Sequence, residues 1–319
     1  MATAKEEGRR KKEEGRRRKK TVSEITRWAI VDTAVEPELF SMLEQLDPPH
    51  ASLYAEPVPE DIGRLAPHLV QVDDRVFHWL NRRKTPWGIL LETTSEMKIL
   101  RQHLRKYLHV QIPHEEKPVF FRFYDPRNIW SFCDVMTEWE LFCFMGPIEK
   151  IMTIYDGAVR EETFNSVRVQ FPITAKSRMK LLKFSQSQID ILNTHSETRY
   201  VDEVFSKTLV KYKEKIHHIS HSSNQSDPEQ DFYFYKDSQE NSTTFSVKHI
   251  VSECYYFCKE HNINDDRSIR ELIHLLIEKD YYSLEQAPEF WRDSLLREDL
   301  PGHYRVSNLF KDVLGEYSA

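Results

Sequence analysis

Cysteine and histidine side chains at helical spacing are the first candidates for chemistry in this sequence. Cys254, Cys258 and His261 are separated by four and three residues, so they share one face of a helix. A closed zinc site needs a fourth ligand and usually a tighter pair such as Cys-x-x-Cys. The aromatic run at 255–257 lies between the two cysteines and is typical of a packed helix. We therefore predict core thiols here rather than a metal site.

Other candidate ligands and nucleophiles lack the spacing that chemistry requires. His217, His218 and His221 lie in a polar stretch without a neighbouring cysteine, and Cys133 and Cys143 are ten residues apart. The sequence contains no Gly-x-Ser-x-Gly, no His-Glu-x-x-His and no Walker-type loop. We predict no catalytic residue, no cofactor and no metal. An enzyme of unknown reaction stays open as the alternative, with Asp125, Arg127 and His103 as its ionisable groups.

Residues 120–127, Phe-Phe-Arg-Phe-Tyr-Asp-Pro-Arg, combine an apolar run with charges at its end. In a strand, Arg122 and Tyr124 would lie on one face, and the buried guanidinium would need a partner. Asp125 precedes Pro126, where a carboxylate can cap the start of a helix. Arg127 would then lie in the first turn, which is unfavourable for a cation. A carboxylate should hold it, either in this chain or in a partner.

Six residues are therefore candidates for partner binding or for stabilising the motif. Trp130 and Tyr155 are included with the residues of the motif because aromatic and Arg side chains dominate interface hot spots. The candidates are Arg122, Tyr124, Asp125, Arg127, Trp130 and Tyr155.

The elements that position these residues alternate between strands and helices, which predicts an α/β sandwich, with α+β as the alternative. The buried runs do not decide between a parallel and a mixed sheet. Strands are predicted at 28–32, 52–54, 67–72, 87–92, 118–124, 151–155 and 166–171. Helices are predicted at 37–46, 74–82, 95–108, 126–135 and 137–144.

Helical signals replace the extended ones after Pro172. The whole chain is therefore predicted to have three parts. They are a basic low-complexity tail at 1–22 that we expect to be disordered, an α/β domain at 23–172 and a helical C-terminal lobe at 173–319. A polar loop is predicted near 217–245. Helices are predicted at 185–212, 245–260, 267–279, 286–297 and 306–314.

Charge is unevenly distributed along the 319 residues. Residues 1–20 carry ten Lys or Arg and four Glu, whereas the whole chain has a net charge of −6, so the remainder is acidic. This balance makes nucleic acid an improbable partner, although the tail keeps it as a lesser alternative. No run reaches membrane-spanning length and no secretory signal is evident, so we predict a cytoplasmic protein with reduced cysteines.

Several blocks in fixed order resemble the type VI secretion effector chaperones, also called Tap or TEC adaptors and VasW-like. The Phe-Arg-Phe-Tyr-Asp-Pro-Arg stretch at 121–127 is the central one. The others are Trp-Ala-Ile-Val-Asp-Thr-Ala at 28–34, Ser-Leu-Tyr at 52–54, Leu-Ala-Pro-His-Leu-Val at 65–70, Trp-Gly-Ile-Leu-Leu at 87–91, His-Leu-Arg at 103–105, Leu-His-Val at 108–110 and Phe-Met-Gly-Pro at 144–147. The C-terminal lobe resembles the family only loosely, and the basic tail has no counterpart.

The resemblance implies a role without a reaction. Such an adaptor binds a cognate effector toxin in the cytoplasm and loads it onto the VgrG spike protein. On this interpretation the protein is not an enzyme, needs no cofactor and works away from membranes.

Overall fold

A computed structural model describes residues 24–54, 57, 59–172, 174–175, 180–213 and 242–315. The chain divides by its internal contacts into two compact units, Met1–Asn193 and Thr194–Ala319. The sequence prediction placed the change of lobe earlier, after residue 172. The predicted tail at 1–22 and most of the predicted loop at 217–245 lie outside the described residues, as do the three histidines at 217, 218 and 221.

The first unit contains two sheets. The strands of the larger sheet are β1 (Thr26–Val31), β2 (His50–Ser52), β3 (His68–Gln71), β4 (Gly88–Thr93), β7 (Lys150–Tyr155) and β8 (Ala158–Glu162), in the order β2-β3-β1-β4-β7-β8. The smaller sheet consists of β5 (His109–Gln111), β6 (Val119–Phe120) and β9 (Leu182–Lys183), in the order β6-β5-β9.

Strand direction is the main difference from the predicted sheet. Every neighbouring pair of the six-stranded sheet is antiparallel. Only the small sheet is mixed, because β5 runs antiparallel to β6 and parallel to β9. The predicted α/β class is confirmed, but the large sheet is neither parallel nor mixed. Apolar runs report burial on both faces, and burial does not encode direction.

Apolar side chains cover both faces of the large sheet. Ile30 and Leu91 belong to one core, together with Leu100 of the helix after β4. Leu90 belongs to the other core, together with Leu39 of the first helix. The helices of this unit are α1 (Leu39–Leu46), α2 (Glu60–Gly63), α3 (Asp74–Asn81), α4 (Met97–Leu104), α5 (Ile129–Val135), α6 (Glu138–Met145) and α7 (Asn165–Arg168), and a 3₁₀ turn (Arg105–Tyr107) follows α4.

Three predicted segments differ in the structure. The strand predicted at 118–124 is limited to β6, because the chain turns after Phe120 and buries Phe123 among other aromatic rings. The helix predicted from Pro126 begins at Ile129. The closing strand predicted at 166–171 is wrong, since this region contains helix α7 and turns.

The second unit is helical, as predicted. Helix α8 (Gln186–Lys211) is continuous, and its residues from Thr194 onward belong to this unit. It is followed by α9 (Ser242–Glu260), α10 (Asp266–Glu278), α11 (Glu289–Leu295) and α12 (Gly302–Leu314). Ile250, Cys254, Leu272 and Leu309 are fully buried in its core.

A buried cation joins three helices of this unit. Arg305 of α12 is only 4% exposed. Its guanidinium donates to the carbonyl oxygen of Leu295 at 2.7 Å and to that of His261 at 2.6 Å. Leu295 is the last residue of α11, and His261 directly follows α9. Backbone carbonyls at helix ends lack partners within the helix. Arg305 therefore supplies donors to two helix ends at once.

Candidate functional site

The charged end of the 120–127 motif forms a tight turn held by Asp125. One Asp125 carboxylate oxygen accepts the backbone N–H of Arg127 at 2.9 Å. Both oxygens also accept from the Arg127 guanidinium, with Nη2 to Oδ2 at 2.7 Å and Nε to Oδ1 at 2.9 Å. Asp125 is buried, whereas the Arg127 side chain is 31% exposed. The carboxylate expected to hold Arg127 thus lies in this chain.

Arg122 has its own carboxylate partner. Its guanidinium forms an ion pair with Asp32, the residue that follows β1. The Asp32 side chain is 2% exposed and the Arg122 side chain is 39% exposed, so the cation reaches water and the anion does not. Tyr124 is buried, and this burial raises the pKa of its hydroxyl above the ordinary value, although Arg122 opposes the shift. Four of the predicted site residues therefore lie together at one turn.

The remaining two candidates lie in or against strand β7: Tyr155 ends the strand, and Trp130 of α5 contacts it. Trp130 is mostly buried, and its indole Nε1–H donates to the Thr153 hydroxyl at 2.9 Å while Arg160 lies 4.2 Å from the ring centroid. Tyr155 is half-buried at the end of β7 and lines a polar groove of about 400 Å³ with Arg83. The sequence grouped these two aromatic residues with the charged turn, but each has a separate environment.

We expect Arg127→Ala to destabilise the fold, because it removes the partner of a buried carboxylate. The loss should be about 2 kcal/mol, and the melting temperature should fall by about 5 °C. Differential scanning fluorimetry of the full chain measures it. Arg75→Ala is the matched control, since Arg75 binds Asp73 at the same two-residue spacing but both side chains are largely exposed. Equal melting temperatures for the two variants would contradict a stabilising role for Arg127.

His103, the third ionisable group of the enzyme alternative, is engaged in the core. Its Nε2–H donates to the carbonyl oxygen of Phe144 at 2.6 Å. Burial, with a smaller contribution from the nearby Lys106, lowers the pKa of His103 to about 4, although the hydrogen bond to Phe144 opposes the shift. The ring also fills the space beside Gly146, where an added Cβ would approach it to 2.6 Å. His103 therefore joins α4 to the end of α6.

Acid should destabilise the first unit through His103. The unfolded chain binds a proton near the ordinary pKa of 6.5, but the folded chain does so only near 4, so stability falls as the pH decreases between these values. His103 should lower the free energy of unfolding by up to about 3 kcal/mol over this pH range. Urea denaturation at pH 7.5 and pH 5 should show a smaller pH dependence for His103→Gln than for the wild type. His78→Gln, at an exposed position, should leave the slope unchanged; an unchanged slope for His103→Gln would refute the assignment.

An exposed groove beside the motif was not identified from the sequence. It has a volume of about 440 Å³ and is lined mainly by apolar and aromatic side chains. Phe120 is 41% exposed and contacts Tyr54 at 5.8 Å and His109 at 5.6 Å between ring centroids. Arg105 also lines the groove. The available signal was the strand alternation, which separates Phe120 from the buried Phe123.

Within the described ranges, no group of three or more His, Cys, Asp or Glu residues could hold a metal ion. Cys133, Cys143, Cys254 and Cys258 are free and buried. Burial raises the pKa of Cys258 to about 12 and that of Cys254 well above its ordinary value. The His261 ring packs against Phe257 in a tilted arrangement, with 4.5 Å between the ring centroids. Helices in the described part of the chain are too short or too polar to cross a membrane.

Comparison with known proteins places the motif and the groove in one matched segment. Neither a curated protein nor a solved structure matches the chain. Residues 27–142 match the model of a domain of unknown function, DUF4123, which covers a little more than a third of the 319 residues. The match includes β1 to β6, the charged turn and the groove. The DUF4123 family is associated with effector chaperones and adaptors of type VI secretion systems.

Proposed function

We propose that this protein is an adaptor that binds a toxic effector and loads it onto the VgrG spike of a type VI secretion system. The DUF4123 match at residues 27–142 supports the adaptor role. The ordered blocks at 28–34, 65–70, 87–91 and 121–127 support the same role independently of strand or helix assignments.

The observation that carries the proposal is the contrast within the motif. Asp125 and Arg127 bind each other, and Arg122 binds Asp32, so the charged groups stabilise the turn. Phe120, the first residue of the same motif, is instead left exposed in an aromatic groove. Exposed aromatic side chains in a concave site are typical anchors for a protein partner. The motif thus combines a fixed turn with a surface suited to binding.

The enzyme alternative has less support. Its three ionisable groups do not converge on a shared cavity, because Asp125 is paired with Arg127 and His103 donates to Phe144. A general acid or base must reach the substrate proton within hydrogen-bonding distance. We therefore propose a non-enzymatic, cytoplasmic protein whose product is a complex.

Co-purification tests the proposal directly. The tagged full chain should be co-expressed with the effector and the VgrG spike protein encoded beside its own gene. We expect the effector to be retained on the tag and the spike to join when the effector is present. Deleting the chain should reduce effector stability or delivery. If the tagged chain captures neither protein, the proposed function is wrong.

A further inference from the structure

The groove beside the motif, which we term the Phe120 groove, has an apolar wall fixed by hydrogen bonds. The Phe120 ring contacts the rings of Tyr54 and His109, and the buried Leu53 and Leu108 also line the groove. His109 and Phe120 are paired residues of β5 and β6, so their side chains share a face. This ladder of three rings provides a firm surface for an apolar side chain.

Arg101 fixes the segment that carries Tyr54. Its guanidinium donates to the carbonyl oxygen of Ser52 at 2.6 Å and to that of Tyr54 at 3.0 Å. These bonds fasten the segment that carries Tyr54 to helix α4. The Phe120 groove is therefore built before any partner arrives, which lowers the entropy lost on binding.

The groove also contains a cation, Arg105, that has no carboxylate partner among the described residues. Arg105 lines the groove and is half-buried, yet it makes no ion pair or hydrogen bond with any residue that the structure describes. Other arginines near the motif, such as Arg122 and Arg127, each have a carboxylate. Arg105 thus differs from Arg122 and Arg127 in that no described carboxylate binds it.

The stretch of chain that carries Arg105 is itself positively charged. Residues 97–114 contain four Lys or Arg and no acidic residue, although the whole chain has a net charge of −6. Such a local excess attracts an acidic partner and orients its approach. Arg105 and Lys106 also follow the C-terminus of α4, where cations are favourable, so the helix alone would explain positive charge but not the aromatic groove beside it.

We propose that the Phe120 groove binds an extended acidic and apolar segment of the effector, with an aromatic or aliphatic side chain against Phe120 and a carboxylate on Arg105. The inference rests on the proposed function and assigns the cargo site. We assign the groove to the effector rather than the spike because it lies within the segment that matches a family associated with effector chaperones and adaptors. The bidentate guanidinium would give the contact its direction along the groove.

The test measures binding of the neighbouring effector to purified full-length variants. Phe120→Ala and Arg105→Glu should each weaken binding by about tenfold or more, as expected for hot-spot residues. Lys106→Glu makes the same charge change one residue away, outside the groove lining, and should change binding by less than about threefold. Phe290→Ala, at an exposed position of the other unit, is the control for losing an aromatic ring.

A second arm identifies the segment. Overlapping peptides of the effector should bind through a sequence that places Asp or Glu within about three residues of Phe, Leu or Trp. Replacing that acid by Lys in the intact effector should restore binding to Arg105→Glu. Arg105→Met, which avoids a new negative charge near the helix end, should weaken binding in the same direction.

The outcomes separate this inference from the proposed function. If the wild type binds the effector and the Phe120 and Arg105 variants bind equally well, the groove assignment is wrong but the adaptor role stands. Loss of spike binding alone would also overturn it, as would a wild-type dimer that dissociates in Arg105→Glu. Failure of the wild type to bind either protein would instead refute the adaptor role.

Discussion

Replacing Gly88 by alanine should prevent the first unit from folding stably. Gly88 begins β4, opposite Val31, and has a φ of +150° that L side chains rarely adopt. A Cβ at this position would lie 1.8 Å from the carbonyl oxygen of Ile30. Relief requires the central strands β1 and β4 to separate, because the obstacle is backbone. We expect a loss of about 3 kcal/mol or more and a largely insoluble product.

Gly63→Ala is the matched control for this substitution. Gly63 ends helix α2, and an added Cβ there has no atom within 4 Å. Its stability should stay within about 1 kcal/mol of the wild type. Urea denaturation monitored by tryptophan fluorescence compares the three proteins. A soluble Gly88→Ala variant with the wild-type midpoint would show that β1 and β4 tolerate a side chain at their contact.

Arg122→Met is expected to have the second largest effect. It leaves the Asp32 carboxylate buried without its guanidinium partner. The backbone N–H of Ala34, at 3.1 Å, still donates a hydrogen bond to this carboxylate. Removing one partner of a buried ion pair costs about 3–5 kcal/mol. Since Arg122 is 39% exposed and the pair is partly screened, we expect about 2–3 kcal/mol.

A double-mutant cycle with Asp32→Asn isolates the interaction between the two side chains. The double variant should be more stable than Arg122→Met, because the uncompensated buried charge is removed. Arg27→Met is the control: Arg27 is also 39% exposed, but its partner Glu92 is 19% exposed and reaches water. Its cost should be about 1 kcal/mol. A coupling energy near zero between Asp32 and Arg122 would contradict a stabilising ion pair.

The sequence was most informative where one pattern has one structural solution. The apolar run at 87–92 predicted a strand covered on both faces, and β4 indeed contributes Leu91 to one core and Leu90 to the other. The amphipathic stripe at 267–279 likewise predicted α10, with Leu272 and Ile273 buried. Burial and periodicity are local signals, so these elements could be predicted directly.

The motif shows why other features could not. Its aromatic run resembles a buried strand, but the rings pack around Phe132 and Phe144 from a turn instead. The same composition satisfies both arrangements, and tertiary contacts select one. The carboxylate for Arg127 lies two residues away, whereas that for Arg122 lies ninety residues away, just after β1. The first was within reach of sequence reasoning, and the second depended on topology.

The groove depended on topology even more. Tyr54, Arg105 and Phe120 come from three separate segments that only the fold brings together. The sequence does not distinguish an exposed phenylalanine from a buried one in an apolar run. Strand alternation predicts the side of the sheet on which a residue lies, but not whether other elements cover that side. The position of Arg105 in this groove, with no partner among the described residues, is likewise a property of the assembled surface.

Each unit contains two buried thiols whose rate of chemical modification measures how often that unit unfolds locally. Cys133 and Cys143 lie in the first unit, and Cys254 and Cys258 lie in the second, all less than a tenth exposed. A thiol reagent reacts with the thiolate, so it must wait until a unit opens and its cysteines regain water. The modification rates of the two pairs, resolved by peptide mass spectrometry, would therefore report how often each unit opens. Repeating the measurement with a bound partner would show in which unit the cysteines are modified more slowly.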